Sequence, residues 1–193
     1  MVNLRHPGVI ASPRLWLVPL TLPLADAAIA GDRKELAKLL DAEIPEDWPG
    51  EGLRENGLPK DRAGIAEDPR ESIWRTRLVL ARLKEGMALV GTCSLKGPPS
   101  KFGAVTIGYE IVPERRNSGY ASEASRALVG WAMEQPGVAH VEAYVDKGNE
   151  ASKAVLRDLG MVRSGMMQSP ETGICEVHAM TRDQWLHAVK REG

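Results

Sequence analysis

Cysteine is scarce. Only Cys93 and Cys175 occur in 193 residues, each in an apolar, strand-like run, and neither has a CxxC partner. Free cysteines are usually buried as small apolar groups, so both are expected in the core, and this usage fits a reducing cytoplasm. An excess of positive charge is also missing. The net charge is −1 and no long basic run occurs, which leaves no broad field to attract nucleic acid. No apolar stretch is long enough to cross a membrane: Leu15 to Leu24 is broken by Pro19 and Pro23, well short of the ~20 residues that a spanning helix needs. The opening residues, with Arg5, His6 and Pro7, hold no signal-peptide core, so neither export nor membrane insertion is expected. His6, His140, His178 and His187 are scattered without ligand spacing, and no metal is expected. The SxxK, GxSxG and HExxH arrangements of hydrolases are absent,.

What is present is an ordinary globular composition, 43 % hydrophobic and 26 % charged, of a length that suits one domain. Arg14 to Leu20 reads as a strand. Leu24 to Leu40 has helical spacing interrupted at Gly31 and Asp32, so two short helices fit, with Asp32 as N-cap. Residues 43–72 differ in character. They are rich in proline, glycine and charge, and predict a long loop with room for a short helix, pinned by Trp48. Three strands follow at Trp74 to Leu83, Ala88 to Leu95 and Ala104 to Val112, an antiparallel meander whose Arg75, Arg77 and Arg82 read as a solvated face. The period then changes. Tyr120 to Gln135 places Ala124, Leu128, Trp131 and Ala132 on one helical face. A strand at Val138 to Val145, a helix at Asn149 to Leu159, two strands at Met161 to Gln168 and Ile174 to Thr181 joined at Ser169-Pro170, and a short helix at Asp183 to Lys190 complete the chain. This order predicts an α+β protein with a mixed sheet, in which the step from Ala104 to Val145 is a parallel crossover.

The chemistry is concentrated between Ile107 and Gly160. A strand ends at Ile111-Val112-Pro113, a short turn follows, and small residues open a long helix at Gly119-Tyr120-Ala121. Such a turn leaves several backbone N–H groups unpaired in one concavity. The helix dipole and a neighbouring Arg115 or Arg116 add positive charge, and Gly119 lets the backbone approach a phosphate. By itself this pattern is also that of an ordinary turn and cap, and it matches neither a P-loop nor a GxGxxG fingerprint.

Arg116-x-x-Gly119-x-Ala121 resembles the Arg/Gln-x-x-Gly-x-Gly/Ala element of the GNAT superfamily of N-acetyltransferases. Residues 108–132 resemble its ribosomal-protein N-terminal acetyltransferase branch, and residues 12–28 resemble that branch's first strand and helix. The run from Asn149 through Ser152 and Leu156 to Gly160-Met161 is similar to its Asn-x-x-Ser-x-x-x-Leu/Ile-x-x-x-Gly-Phe element. Residues 43–72 match poorly, and their long loop would shape the acceptor site. The resemblance implies a single domain over residues 1–193 with the GNAT fold: a mostly antiparallel central sheet flanked by helices, whose third and fourth meander strands splay apart to form a coenzyme A cleft. It implies acetyl-CoA as acyl donor. The backbone of Ile111 and Val112 would pair with the pantetheine arm. Arg116, Asn117, Ser118, Gly119, Tyr120, Ala121 and Ser122 would wrap the pyrophosphate. Asn149 would reach the pantetheine, and Ser152 would lie near the thioester sulfur.

The reaction so implied is attack of a neutral primary amine on the acetyl carbonyl. Glu110 is the first candidate for general base, acting through a water, with Tyr109 as rival on the opposite face of the strand. A backbone N–H near Val112 is the candidate oxyanion donor. Many family members place a tyrosine four residues after the position of Ser152, where this chain has Leu156, so Ser152 is the substitute acid. The acceptor is expected to be a protein N-terminus or a small amine. A homodimer is left open. A sensor or interaction module that binds acyl-CoA without turnover is the alternative.

Overall fold

The computed structural model describes residues 4, 8–169 and 173–192. The turn expected at Pro170, and the opening residues Arg5, His6 and Pro7, lie outside them. The first element is a two-residue strand, β1 (Ile10–Ala11), followed by β2 (Leu15–Pro19), α1 (Leu22–Ala30) and α2 (Arg33–Leu40). Next come α3 (Leu58–Glu67), β3 (Thr76–Leu83), β4 (Gly86–Leu95), β5 (Ala104–Ile111), α4 (Tyr120–Glu134) and β6 (His140–Asp146). The chain ends in α5 (Glu150–Asp158), β7 (Val162–Ser169), β8 (Gly173–Thr181) and α6 (Arg182–Glu192). The strands form one eight-stranded sheet in the order β1-β2-β3-β4-β5-β6-β8-β7. Every neighbouring pair is antiparallel except β5 and β6, which are parallel through the α4 crossover.

The strands β2 and β3 are buried at nearly every position because both faces of the sheet are covered,. On one face Leu15, Leu17, Val79 and Ala81 pack with Ala124, Leu128 and Ala132 of α4. On the other, Val18, Leu78 and Leu80 pack with Leu24 and Ala28 of α1 and Leu36 of α2. Full burial of one such leucine contributes about 2 kcal/mol. The helix boundaries follow local chemistry. Asp32 caps α2 by accepting from the Glu35 N–H at 3.0 Å, and Gly31 closes α1 in the left-handed region at φ 68°,.

Two expectations are corrected by this fold. Residues 43–72 are not an extended loop. A π-helical turn (Leu53–Gly57), α3 and a 3₁₀ turn (Pro69–Trp74) occupy much of the segment, and Trp48, Leu58 and Ile65 are buried against α1 and α2. Leu58 and Ile65 are seven positions apart, one helical face interrupted by proline, glycine and charge. Nor is Arg77 solvated. Its side chain is fully buried, donates to the carbonyls of Gly8 and Ile73, and lies 4.8 Å from the Trp131 ring. Burial lowers its pKa to about 10, so it remains a cation at neutral pH. Arg75, in the 3₁₀ exit, is ion-paired with Glu71 and Asp61, whereas Arg82 is exposed. Cys93 and Cys175 are both buried.

Candidate active site

Two irregularities in the sheet create the site. The first is a bulge on β4. Val79 faces Gly91 while Leu80 faces Leu89, so Val90 is an extra residue,. Gly91 then passes so close to β5 that an added Cβ would lie 2.1 Å from the Glu110 carbonyl oxygen. The second is the divergence of β5 from β6. Their pairing runs from Ala104 with His140 to Ile107 with Ala143 and stops there. Beyond it β5 follows β4 to Ile111 and β6 follows β8 to Asp146, leaving a wedge-shaped gap between two parallel strands. The strands that part are thus the last meander strand and the crossover strand, not two members of the meander.

The backbone groups facing this gap follow from strand alternation. The Val112 N–H donates to Val90 O at 3.0 Å, toward β4, so the Ile111 N–H points the other way, into the gap. The expected oxyanion donor at Val112 is therefore already engaged, a consequence of the bulge that no local pattern in β5 reveals. The Ile111 carbonyl accepts from Arg116 Nε at 3.0 Å.

At the end of β5 the chain forms a 3₁₀ turn (Pro113–Arg115) and enters α4. Asn117 and Gly119 adopt positive φ of 58° and 77°, and α4 starts with no side-chain cap. The amides of Asn117, Ser118, Gly119, Tyr120, Ala121 and Ser122 have no protein acceptor among the described residues. A row of unpaired donors at a helix head, on a backbone alternating into the left-handed region, fits a phosphate-bearing ligand. The arginine beside this row is one that sequence reasoning did not single out. Arg115 lines a different hollow beside Glu43 and Met87, and Arg116 is turned to Ile111. Arg14, at the start of β2, instead reaches Ser118 O with Nη1 at 3.1 Å and lies 4.9 Å from the Tyr120 ring.

Across the gap, α5 presents its first turn. Asn149 accepts from the Ser152 N–H at 3.0 Å, which leaves its side-chain NH2 as donor. Tyr109 bridges the divergence: its hydroxyl donates to Ser152 O at 3.0 Å. Burial raises the Tyr109 pKa to about 12, so the phenol is a proton donor at neutral pH and not a base. Glu110 projects from the opposite face. It is exposed and lines a cavity of about 140 Å³ with Asp47, Trp48, Gly50 and Glu114. Trp48 thus both anchors its segment and walls this cavity, whereas Trp74 packs edge-on against Trp131 with ring centroids 5.1 Å apart.

Residues 14–162 match the family model of the acetyltransferase (GNAT) domain. The chain belongs to the GNAT family. An uncharacterized N-acetyltransferase of Bacillus subtilis, YoaA, is 32 % identical over 80 residues, 42 % of this chain and 45 % of that protein. The chain spans about half the length, or less, of the curated relatives it matches. Among solved GNAT-fold structures, the ribosomal-protein-S5-alanine acetyltransferase of Vibrio fischeri has a TM-score of 0.65 at 17 % identity, covering 92 % of this chain and 98 % of that one. RimL, a ribosomal L7/L12 alpha-N-protein acetyltransferase in complex with coenzyme A, has a TM-score of 0.62 at 18 % identity, covering 91 % and 99 %. These likenesses establish the GNAT fold over nearly the whole chain. The helical segment at 43–72 replaces the loose loop that the sequence suggests.

Proposed function

We propose that this GNAT domain transfers an acetyl group from acetyl-CoA to a primary amine. The observation that carries this reading is the row of unpaired amides from Asn117 to Ser122 at the mouth of the β5–β6 gap. Those amides would hold the pyrophosphate. The Ile111 N–H and the Asn149 side-chain NH2 would hold the pantetheine arm, with Ser152 beside the sulfur. Acetyl-CoA supplies the activated acyl group.

The two faces of β5 divide the remaining work. Glu110 opens into the acceptor cavity and takes the amine proton, directly or through a water. The amine nitrogen then bonds to the acyl carbon as the carbon–sulfur bond breaks. The leaving thiolate, of pKa about 8.5, needs little assistance. The Ser152 hydroxyl would be the donor to it, with Tyr109 as the rival. The acceptor is a small amine or a protein N-terminus, and the site of action is cytoplasmic.

Gly119→Glu is the direct test. A carboxylate at this position repels the pyrophosphate and fills its approach, so coenzyme A should no longer raise the melting temperature, although the variant folds. A normal thermal shift with coenzyme A would remove the basis of the assignment.

A further inference from the structure

We infer that Arg14 is a positioning residue for the donor's pyrophosphate, aiming the Gly119 amide and cancelling the charge of Glu123 beside it. This role rests on the pyrophosphate site proposed above.

Arg14 is remote from the amide row in sequence but adjacent in space. Its Nη1 holds Ser118 O at 3.1 Å, its Nε holds Glu123 Oε2 at 2.6 Å, and its own backbone N–H donates to Glu123 Oε1 at 2.8 Å. Ser12 Oγ adds a donor to the same oxygen at 2.7 Å. The peptide joining Ser118 and Gly119 is trans, so its carbonyl and its N–H point in opposite directions. Fixing the Ser118 carbonyl on Arg14 therefore turns the Gly119 N–H away from Arg14, toward the concave side. A lysine cannot do this, because one ammonium cannot hold the carboxylate and the carbonyl in a fixed fork. At Gly119 a side chain would be strained by the φ of 77°, and an added Cβ 3.3 Å from Arg14 Nη2 would push the guanidinium aside by a few tenths of an ångström.

Glu123 explains why a cation is needed there. A carboxylate in the first turn suits the helix dipole, yet it has the same sign as a pyrophosphate. Desolvation alone would raise its pKa, but the hydrogen bonds from Ser12 and Arg14 outweigh that and keep it below the usual carboxylate range. Glu123 is thus ionised at neutral pH, and Arg14 and Ser12 occupy both of its oxygens. The brace also ties β2, near the far edge of the sheet, to the amide row.

The test compares acetyl-CoA with S-acetylpantetheine, which has no pyrophosphate. In Arg14→Gln, the ratio of kcat/KM for acetyl-CoA to that for S-acetylpantetheine should fall about tenfold or more, the effect of losing a charge-assisted contact. The fall should appear mainly in KM for acetyl-CoA. Arg14→Lys should behave similarly, and Glu123→Gln added to Arg14→Gln should recover part of the loss. An unchanged ratio in Arg14→Gln, full rescue by lysine, or no recovery in the double variant overturns the inference. Gly119→Glu separates the two levels. If it depresses the ratio while Arg14→Gln does not, only the Arg14 role fails. If neither variant changes the ratio, the pyrophosphate assignment fails with it.

Discussion

Tyr109 and Glu110 are neighbours on β5 whose side chains serve opposite faces of the sheet. The Tyr109 hydroxyl crosses the strand divergence to Ser152 O at 3.0 Å, on the α4 and α5 side. Glu110 opens on the α1 and α2 side, into the cavity walled by Asp47 and Trp48. Under the proposed reaction, donor and acceptor would approach this one strand from two directions and meet where it passes from Tyr109 to Ile111.

Glu110→Gln removes the group assigned to take the amine proton. It should lower kcat by about 100-fold or more with little change in KM for acetyl-CoA. A rate equal to that of the wild type at every pH would rule out Glu110 as the base.

Tyr109→Phe removes only a hydroxyl. The lost hydrogen bond to Ser152 should cost about 1 kcal/mol in urea unfolding. Because burial holds the phenol protonated up to about 12, the variant loses no base, and its rate should fall far less than that of Glu110→Gln. A fall as large would give Tyr109, not Glu110, the decisive role.

Gly91→Ala puts a methyl where the Glu110 carbonyl passes 2.1 Å from the ideal Cβ position. That overlap with backbone cannot be relieved by a rotamer change, so β5 must move. The expected loss is about 2 kcal/mol or more, measured by denaturant melts, and activity should fall with it because Glu110 moves too. A variant as stable as the wild type would mean the bulge relaxes freely.

Glu123 gives the fold a pH signature. Its folded pKa is depressed, so its stabilising contribution is fully present above the unfolded carboxylate value of about 4.3 and is lost as pH falls through the folded value. Urea melts across that acidic window should therefore show the wild type losing more stability than Glu123→Gln. Parallel losses would mean the Arg14–Glu123 brace is not worth measuring.

The sequence showed most clearly what is local. The β5 turn and the head of α4 were legible because strand end, glycine and helix period lie within one continuous run. The crossover was legible because the period changes from two to helical across it. What depends on contacts distant in sequence was not. Arg77 alternates like a solvated residue, yet the Trp131 ring and the Gly8 and Ile73 carbonyls enclose it. Arg14 carries no local mark of its partnership with Ser118 and Glu123. The engagement of the Val112 amide follows from an extra residue on a neighbouring strand. A short helix in residues 43–72 had room in the sequence, but the place and length of α3 were hidden by Pro59, Gly64 and the surrounding charge, and are set by its burial against α1.

The two hydrophobic clusters lie on opposite faces of the sheet and share no residue. Free-energy changes introduced into one should therefore sum with those introduced into the other. Under the proposed function, the wall at residues 45–50 would then be open to redrawing for a different amine with little change in affinity for coenzyme A.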